Sequence, residues 1–229
     1  MFRMIQNACE RNGSTFRPET FQIDFECGMI RALKQYFGPT VQVKGCLFHF
    51  GQSLWRKIGN LNLTRTFESD DSFRRLFKRL CGLPFCPMNE LDNAWIEIYS
   101  DAPNNQDYFL KTYFHEETAI FHRMMWNHFE TIGPRTTNHL EGWHYALNKA
   151  IGHNSPTLYR TIQELQNQQQ KFEIDSMLQR DGKVVRMQRK EYRELERRLI
   201  LIKAKLTATE ITLIEYIDAV KYQLPKFTK

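Results

Sequence analysis

Between residues 20 and 44 the hydrophobic pattern changes period twice. Phe21 and Ile23 alternate with polar neighbours and lead into Asp24, the period of a short strand. Met29, Ile30, Leu33 and Phe37 then recur at helical spacing, so residues 26–36 are predicted helical, with Gly38-Pro39 as the stop. Val41-Gln42-Val43 alternates again and reads as a second strand. A strand–helix–strand unit of this length implies a parallel pair.

The rest of the chain carries helical patterns. Residues 2–11 read as a helix closed by Asn12-Gly13-Ser14. Further helices are predicted over 47–58, 71–80, 89–100, 107–117 and 137–151, with Thr137 or Asn138 able to cap the last. Ser155-Pro156 fits a cap followed by proline in the first turn, opening a helix that runs to about Lys171. Residues 186–204 and 207–223 read as a closing pair. In that pair Leu195, Leu199, Ile202 and Leu206 make an apolar stripe, suited to a dimer seam or to packing on the chain's own body. The expected fold class is therefore α/β and predominantly helical.

Composition narrows the class. A chain of 229 residues, 41% hydrophobic and 25% charged, can bury a core without a staple. No apolar run approaches 18 residues, so no membrane span is expected, and the polar first dozen residues do not read as a signal peptide. Five cysteines without framework spacing argue for a reducing compartment. The net charge of +6 is concentrated: residues 180–229 hold 13 Lys and Arg against 7 Asp and Glu, while the remainder is balanced. A basic end of this kind suits non-specific contact with phosphates, or serves as a solvated helix face.

Three places carry candidate chemistry. Asp24 ends a strand in a strand–helix–strand unit, where open α/β sheets place their sites; capping the next helix is the structural alternative. Cys46-Leu47-Phe48-His49 is a C-x-x-H step that supplies two zinc-type donors, or two buried structural residues. Cys81 and Cys86, five apart around Pro84, do not match a zinc knuckle. The stretch Arg135-Thr136-Thr137-Asn138-His139-Leu140-Glu141-Gly142-Trp143-His144 places Glu141 near a helix start with His144 three residues on. Glu141 answers the helix dipole or, with Asp24, holds Mg²⁺ or Mn²⁺ through oxygen. Trp143 and His144 are placed to stack on a base.

Taken in order, Ile23-Asp24-Phe25-Glu26, Gly45-Cys46-Leu47-Phe48-His49-Phe50-Gly51-Gln52-Ser53-Leu54-Trp55-Arg56, Phe73-Arg74-Arg75-Leu76-Phe77, Trp126-Asn127 and the 135–144 stretch resemble the transposase domain of Mutator-like elements (MULE), in the form found in many invertebrate genomes. The resemblance covers residues 15–170. It implies an RNase H-like fold, here in truncated form, with an all-helical insertion at about 60–130. Residues 1–175 would be the partial transposase domain and 176–229 a basic C-terminal helical region. It further implies a D-D-E metal centre in which Asp24 is the second acid and Glu141 the last, with Cys46 and His49 the family's C-x-x-H signature and Asn138, Trp143 and His144 near the site.

The first acid of that centre has no counterpart, since Glu10 and Glu19 precede Asp24 in unlike contexts. The expectation is a transposase-derived fragment related to D-D-E DNA cleavage and strand transfer, nuclear, catalytically incomplete, using Mg²⁺ or Mn²⁺ if active. DNA is the expected partner, through the basic C-terminal region, together with a possible homo-oligomer. The alternatives are a non-catalytic DNA- or protein-binding module and a zinc-stabilised domain that adds His139, His144 or His153 to Cys46 and His49.

Overall fold

The computed structural model describes residues 1–99, 107–115, 117–152, 155–183, 189–224 and 227. It is predominantly helical with one small two-stranded parallel sheet. The chain divides into two compact units, Met1–Thr137 with Leu199–Lys229, and Asn138–Arg198.

The first unit is built on the strand–helix–strand step. Helix α1 (Phe2–Arg11) precedes β1 (Thr20–Ile23), α2 (Cys27–Phe37) and β2 (Gln42–Gly45). The strands pair in parallel, with Thr20 opposite Gln42 and Ile23 opposite Gly45. Ile30 and Leu33 of α2 and Val43 of β2 are buried, because the 3.6-residue and two-residue periods put these apolar positions on one side. Phe2 of α1 packs edge-on against Phe37 at 5.3 Å and against Phe21 at 6.2 Å, which holds α1 on the sheet and α2.

After β2 the regular elements among the described residues of this unit are helical. They form α3 (Leu47–Asn60), α4 (Thr64–Ser69), α5 (Asp71–Gly82), α6 (Leu91–Tyr99), the short α7 (Asp107–Phe109) and α8 (Arg123–Trp126). Asp70 starts α5 by accepting from the Ser72 and Phe73 backbone N–H groups at 2.8 and 3.2 Å. An aromatic core fills the space between α3, α7 and α8. Phe50 stacks on Trp126 at 5.5 Å and meets Tyr113 edge-on at 4.9 Å. The C-terminal α12 (Leu213–Val220) closes this core against α5 and α6. It opens with a reciprocal Thr212–Glu215 capping box. Tyr216 donates its hydroxyl to the Phe85 carbonyl at 2.7 Å, and Arg79 grips Asp218 through Nε and Nη2 at 2.8 and 2.7 Å. Leu199 is buried here, and Ile202 and Leu206 are half-buried, so this part of the apolar stripe packs on the chain's own first unit.

The second unit comprises α9 (Asn138–Ile151), α10 (Leu158–Arg180) and the first half of α11 (Lys190–Thr207). Arg160 Nη2 reaches the Ala150 carbonyl at 3.4 Å and links α10 to α9. Residue Ile151 is buried, whereas no residue of α10 is.

Several local expectations differ from what forms. Thr157, not Ser155, caps α10, accepting from the Arg160 N–H at 3.3 Å, and the helix reaches Arg180 rather than Lys171. Beyond Lys171 the helix carries Ile174, Met177 and Leu178 at helical spacing, none of them buried. The helix expected over 107–117 breaks at His115, and its Leu110–Phe114 turn is π-wound, which lets Thr112, Tyr113 and Phe114 all turn inward. The helices α4 and α8, of six and four residues, are too short for a period to show. Ser100, at the end of the expected 89–100 helix, lies outside the described residues, as does His153. Among the described residues no helix is long and apolar enough to cross a membrane.

Candidate metal centre

Asp24 follows β1 directly, and Cys46 follows β2. The parallel register that sets Ile23 beside Gly45 therefore sets Asp24 beside Cys46. The Cys46 N–H donates to the Ile23 carbonyl at 2.8 Å, extending the ladder by one bond into the site. Cys46 is also the N-cap residue of α3, so His49 lies one turn along on the same face. These constraints bring Asp24, Cys46 and His49 together, with one donor atom from each within 4.8 Å of the others. His49 Nδ1 stands 2.8 Å from Asp24 Oδ1.

Thr137 completes the cluster. Its backbone N–H donates to Cys46 Sγ at 3.3 Å, and its hydroxyl lies 3.4 Å from Sγ and 3.3 Å from Asp24 Oδ1. One hydroxyl proton serves one of these acceptors at a time. The segment before Thr137 is pinned by Leu47, whose N–H donates to the Arg135 carbonyl at 2.8 Å. Cys46 is fully buried, while the Asp24 side chain is 46% exposed, so the cluster has a closed sulfur end and an open carboxylate end.

A buried histidine and a half-buried lysine fix the floor of the site. His128 Nε2 donates to the Gly45 carbonyl at 2.9 Å, and its Nδ1 lies 3.1 Å from Thr131 Oγ1. Burial holds this imidazole down, to a pKa of about 4, so it is neutral at pH 7. Lys44 Nζ donates to the Met124 and Asn127 carbonyls at 2.9 and 2.8 Å, and burial lowers its pKa from the usual lysine value. Both residues bind β2 to α8 and its following turn. Gly45 itself is required by packing: a Cβ there would meet Phe25 Cζ at 2.3 Å, and Phe25 is held by Phe121 and Tyr113 at 4.9 and 5.5 Å. Gly45→Ala should cost about 1–3 kcal/mol through overpacking. Thermal unfolding of the variant checks this, and an unchanged midpoint would show that the Phe25 ring yields freely.

Asn138, Glu141, Trp143 and His144 all lie on α9 in the second unit. Glu141 is in the first turn and exposed, and the Trp143 and His144 rings are 5.2 Å apart. His139 is exposed on the same helix. Asp24 and Glu141 thus belong to different units, each described by itself. Cys81 and Cys86 are buried in the first unit and burial pushes both thiols up, which marks them as core residues. All five cysteines are free.

Sequence reasoning found Asp24 and, apart from it, the Cys46–His49 pair, but not their contact, and it read Thr137 only as a helix cap. Thr137 directly precedes α9, where a threonine reads as an N-cap, and that local signal masked the long-range role. Among the described residues the Asp24–Cys46–His49 group is the arrangement able to hold a metal ion. No family model matches the chain, and no curated protein or solved structure matches it either.

Proposed function

We propose that the chain belongs to the D-D-E transposase lineage as an RNase H-like domain that binds DNA in the nucleus, without a hydrolytic metal centre at Asp24. The observation that carries this reading is Asp24 at the carboxyl end of a parallel strand, facing the Cys46-x-x-His49 step that follows the neighbouring strand. Ligand sites of open α/β sheets sit at that end of the strands. The helical 60–130 region and the motif at 135–144 then correspond to the insertion and the final acid.

The group that the lineage implies, a pair of Mg²⁺ or Mn²⁺ ions, does not fit the donors around Asp24. Hard cations take six or more oxygen ligands, and this cluster offers one carboxylate beside a sulfur and an imidazole nitrogen. The reading is therefore of DNA contact without cleavage. Exposed Arg189, Lys190 and Arg193, at the start of α11, give the basic region its phosphate-binding face.

Fluorescence anisotropy with a labelled duplex tests this. Micromolar binding that weakens steeply with salt is expected, and reversing Arg189, Lys190 and Arg193 to glutamate should weaken it at least tenfold. Asp24→Asn with Glu141→Gln should bind as the parent does. Absence of binding at low salt removes the DNA reading. Nicking of plasmid in Mn²⁺ that disappears in Asp24→Ala removes the claim that Asp24 holds no hydrolytic centre.

A further inference from the structure

We infer that Asp24, Cys46 and His49 form an open, three-ligand site for a thiophilic divalent cation of the zinc class. This does not rest on the transposase reading, since it uses residues of the first unit alone and holds whether or not the chain binds DNA.

The donor set is one carboxylate oxygen, one sulfur and one imidazole nitrogen, within 4.8 Å of one another. A tetrahedral zinc ion with bonds of about 2.0–2.3 Å separates its ligand atoms by roughly 3.3–3.8 Å. Asp24 Oδ1 and His49 Nδ1, now 2.8 Å apart, need open by less than an ångström to admit it. Sulfur and imidazole select zinc or cobalt over magnesium by softness.

The surroundings are those of a metal ligand shell. The Thr137 N–H donates to Cys46 Sγ, and its hydroxyl, once Asp24 turns to an ion, is free to donate there as well, the arrangement that offsets charge on a metal-bound thiolate. Cys46 is held at both backbone groups, its N–H on Ile23 and its carbonyl accepting from Phe50 at 3.0 Å. His49 follows on the rigid first turn of α3. The fourth position opens to solvent on the Asp24 side, where a water completes the shell. Binding replaces the thiol proton of Cys46, which leaves to solvent, and a proton on His49 Nδ1 moves to Nε2. Affinity therefore falls as pH is lowered. An ion held here occupies Asp24, so it competes with any use of that carboxylate for a hard cation.

The test is a Co²⁺ titration of the full chain in a thiol-free reductant, followed by optical absorption. One equivalent should produce a sulfur-to-cobalt charge-transfer band in the near ultraviolet, displaced by Zn²⁺. Cys46→Ser should abolish the band, whereas Cys81→Ser should keep it. Because Cys46 is fully buried, Asp24→Asn and His49→Gln at the more exposed ligands serve as the variants that keep the fold, checked by circular dichroism; each should weaken cobalt affinity at least tenfold. Thr137→Val should weaken it by about 10–100-fold with the band position preserved. No band in the parent chain, a band that survives Cys46→Ser, or unchanged affinity in both Asp24→Asn and His49→Gln overturns the site.

Discussion

Trp126→Ala should destabilise the first unit by about 3–5 kcal/mol, the usual range for truncating a buried tryptophan. The indole is fully buried, stacks on Phe50 at 5.5 Å with an interplanar angle of 23°, and meets Phe109 at 6.4 Å. Its Nε1–H donates to the Tyr113 carbonyl at 2.7 Å, so truncation also strips a buried acceptor of its donor. The total stability of a domain is only about 5–15 kcal/mol, so a large share is at stake. Urea unfolding should show a lower midpoint with an unchanged slope. Trp126→Phe keeps the stacking and should lose less than half as much. A loss under about 1 kcal/mol for the alanine variant is incompatible with this core. The same segment explains its neighbour: Asn127 Nδ2 donates to the Cys86 carbonyl at 2.8 Å, and its Oδ1 accepts from the Phe129 N–H at 3.1 Å. The Trp126-Asn127 pair is thus an anchor for the turn that carries His128.

Acidification from pH 7 to 4 should remove about 3 kcal/mol of stability through His128 alone. Burial is the first cause of its depressed pKa, opposed by the hydrogen bond to the Gly45 carbonyl and reinforced by the nearby charges of Lys44 and Arg135. The folded-state pKa of about 4 lies below the unfolded value of about 6.5. In that window the unfolded chain binds the proton and the folded chain does not. Stability is therefore fully present above pH 6.5 and is lost as pH falls through 4. His128→Gln preserves a donor toward Gly45 without a titrating group. The difference between parent and variant, measured by denaturant unfolding at several pH values, isolates this contribution from that of the carboxylates. Parallel pH profiles for the two proteins would place His128 in solvent, contrary to its 1% exposure.

The strand–helix–strand unit was legible because its signals are local. Phe21 and Ile23 alternate, Ile30 and Leu33 repeat at helical spacing, and Gly38-Pro39 ends the run, so β1, α2 and β2 each form near where the pattern places them. The six-residue α4 and the π-wound turn at Leu110–Phe114 left no such mark. One is shorter than two helical periods, and the other exists to face three consecutive side chains inward. The extension of α10 to Arg180 was carried by Ile174, Met177 and Leu178 at helical spacing, a signal that the expected end at Lys171 left out.

For the site, the sequence determined the donors: an acid after one strand, and a cysteine and a histidine three residues apart at a helix start. Helical spacing alone already put Cys46 and His49 on one face. What only the tertiary structure decided is their meeting with Asp24 and Thr137. That meeting depends on the register of Ile23 against Gly45 and on the Leu47–Arg135 hydrogen bond, contacts between residues 22 and 88 positions apart. Such contacts are set by which buried surfaces fit, Phe25 against Gly45 and Trp126 against Phe50, and no local pattern encodes that fit.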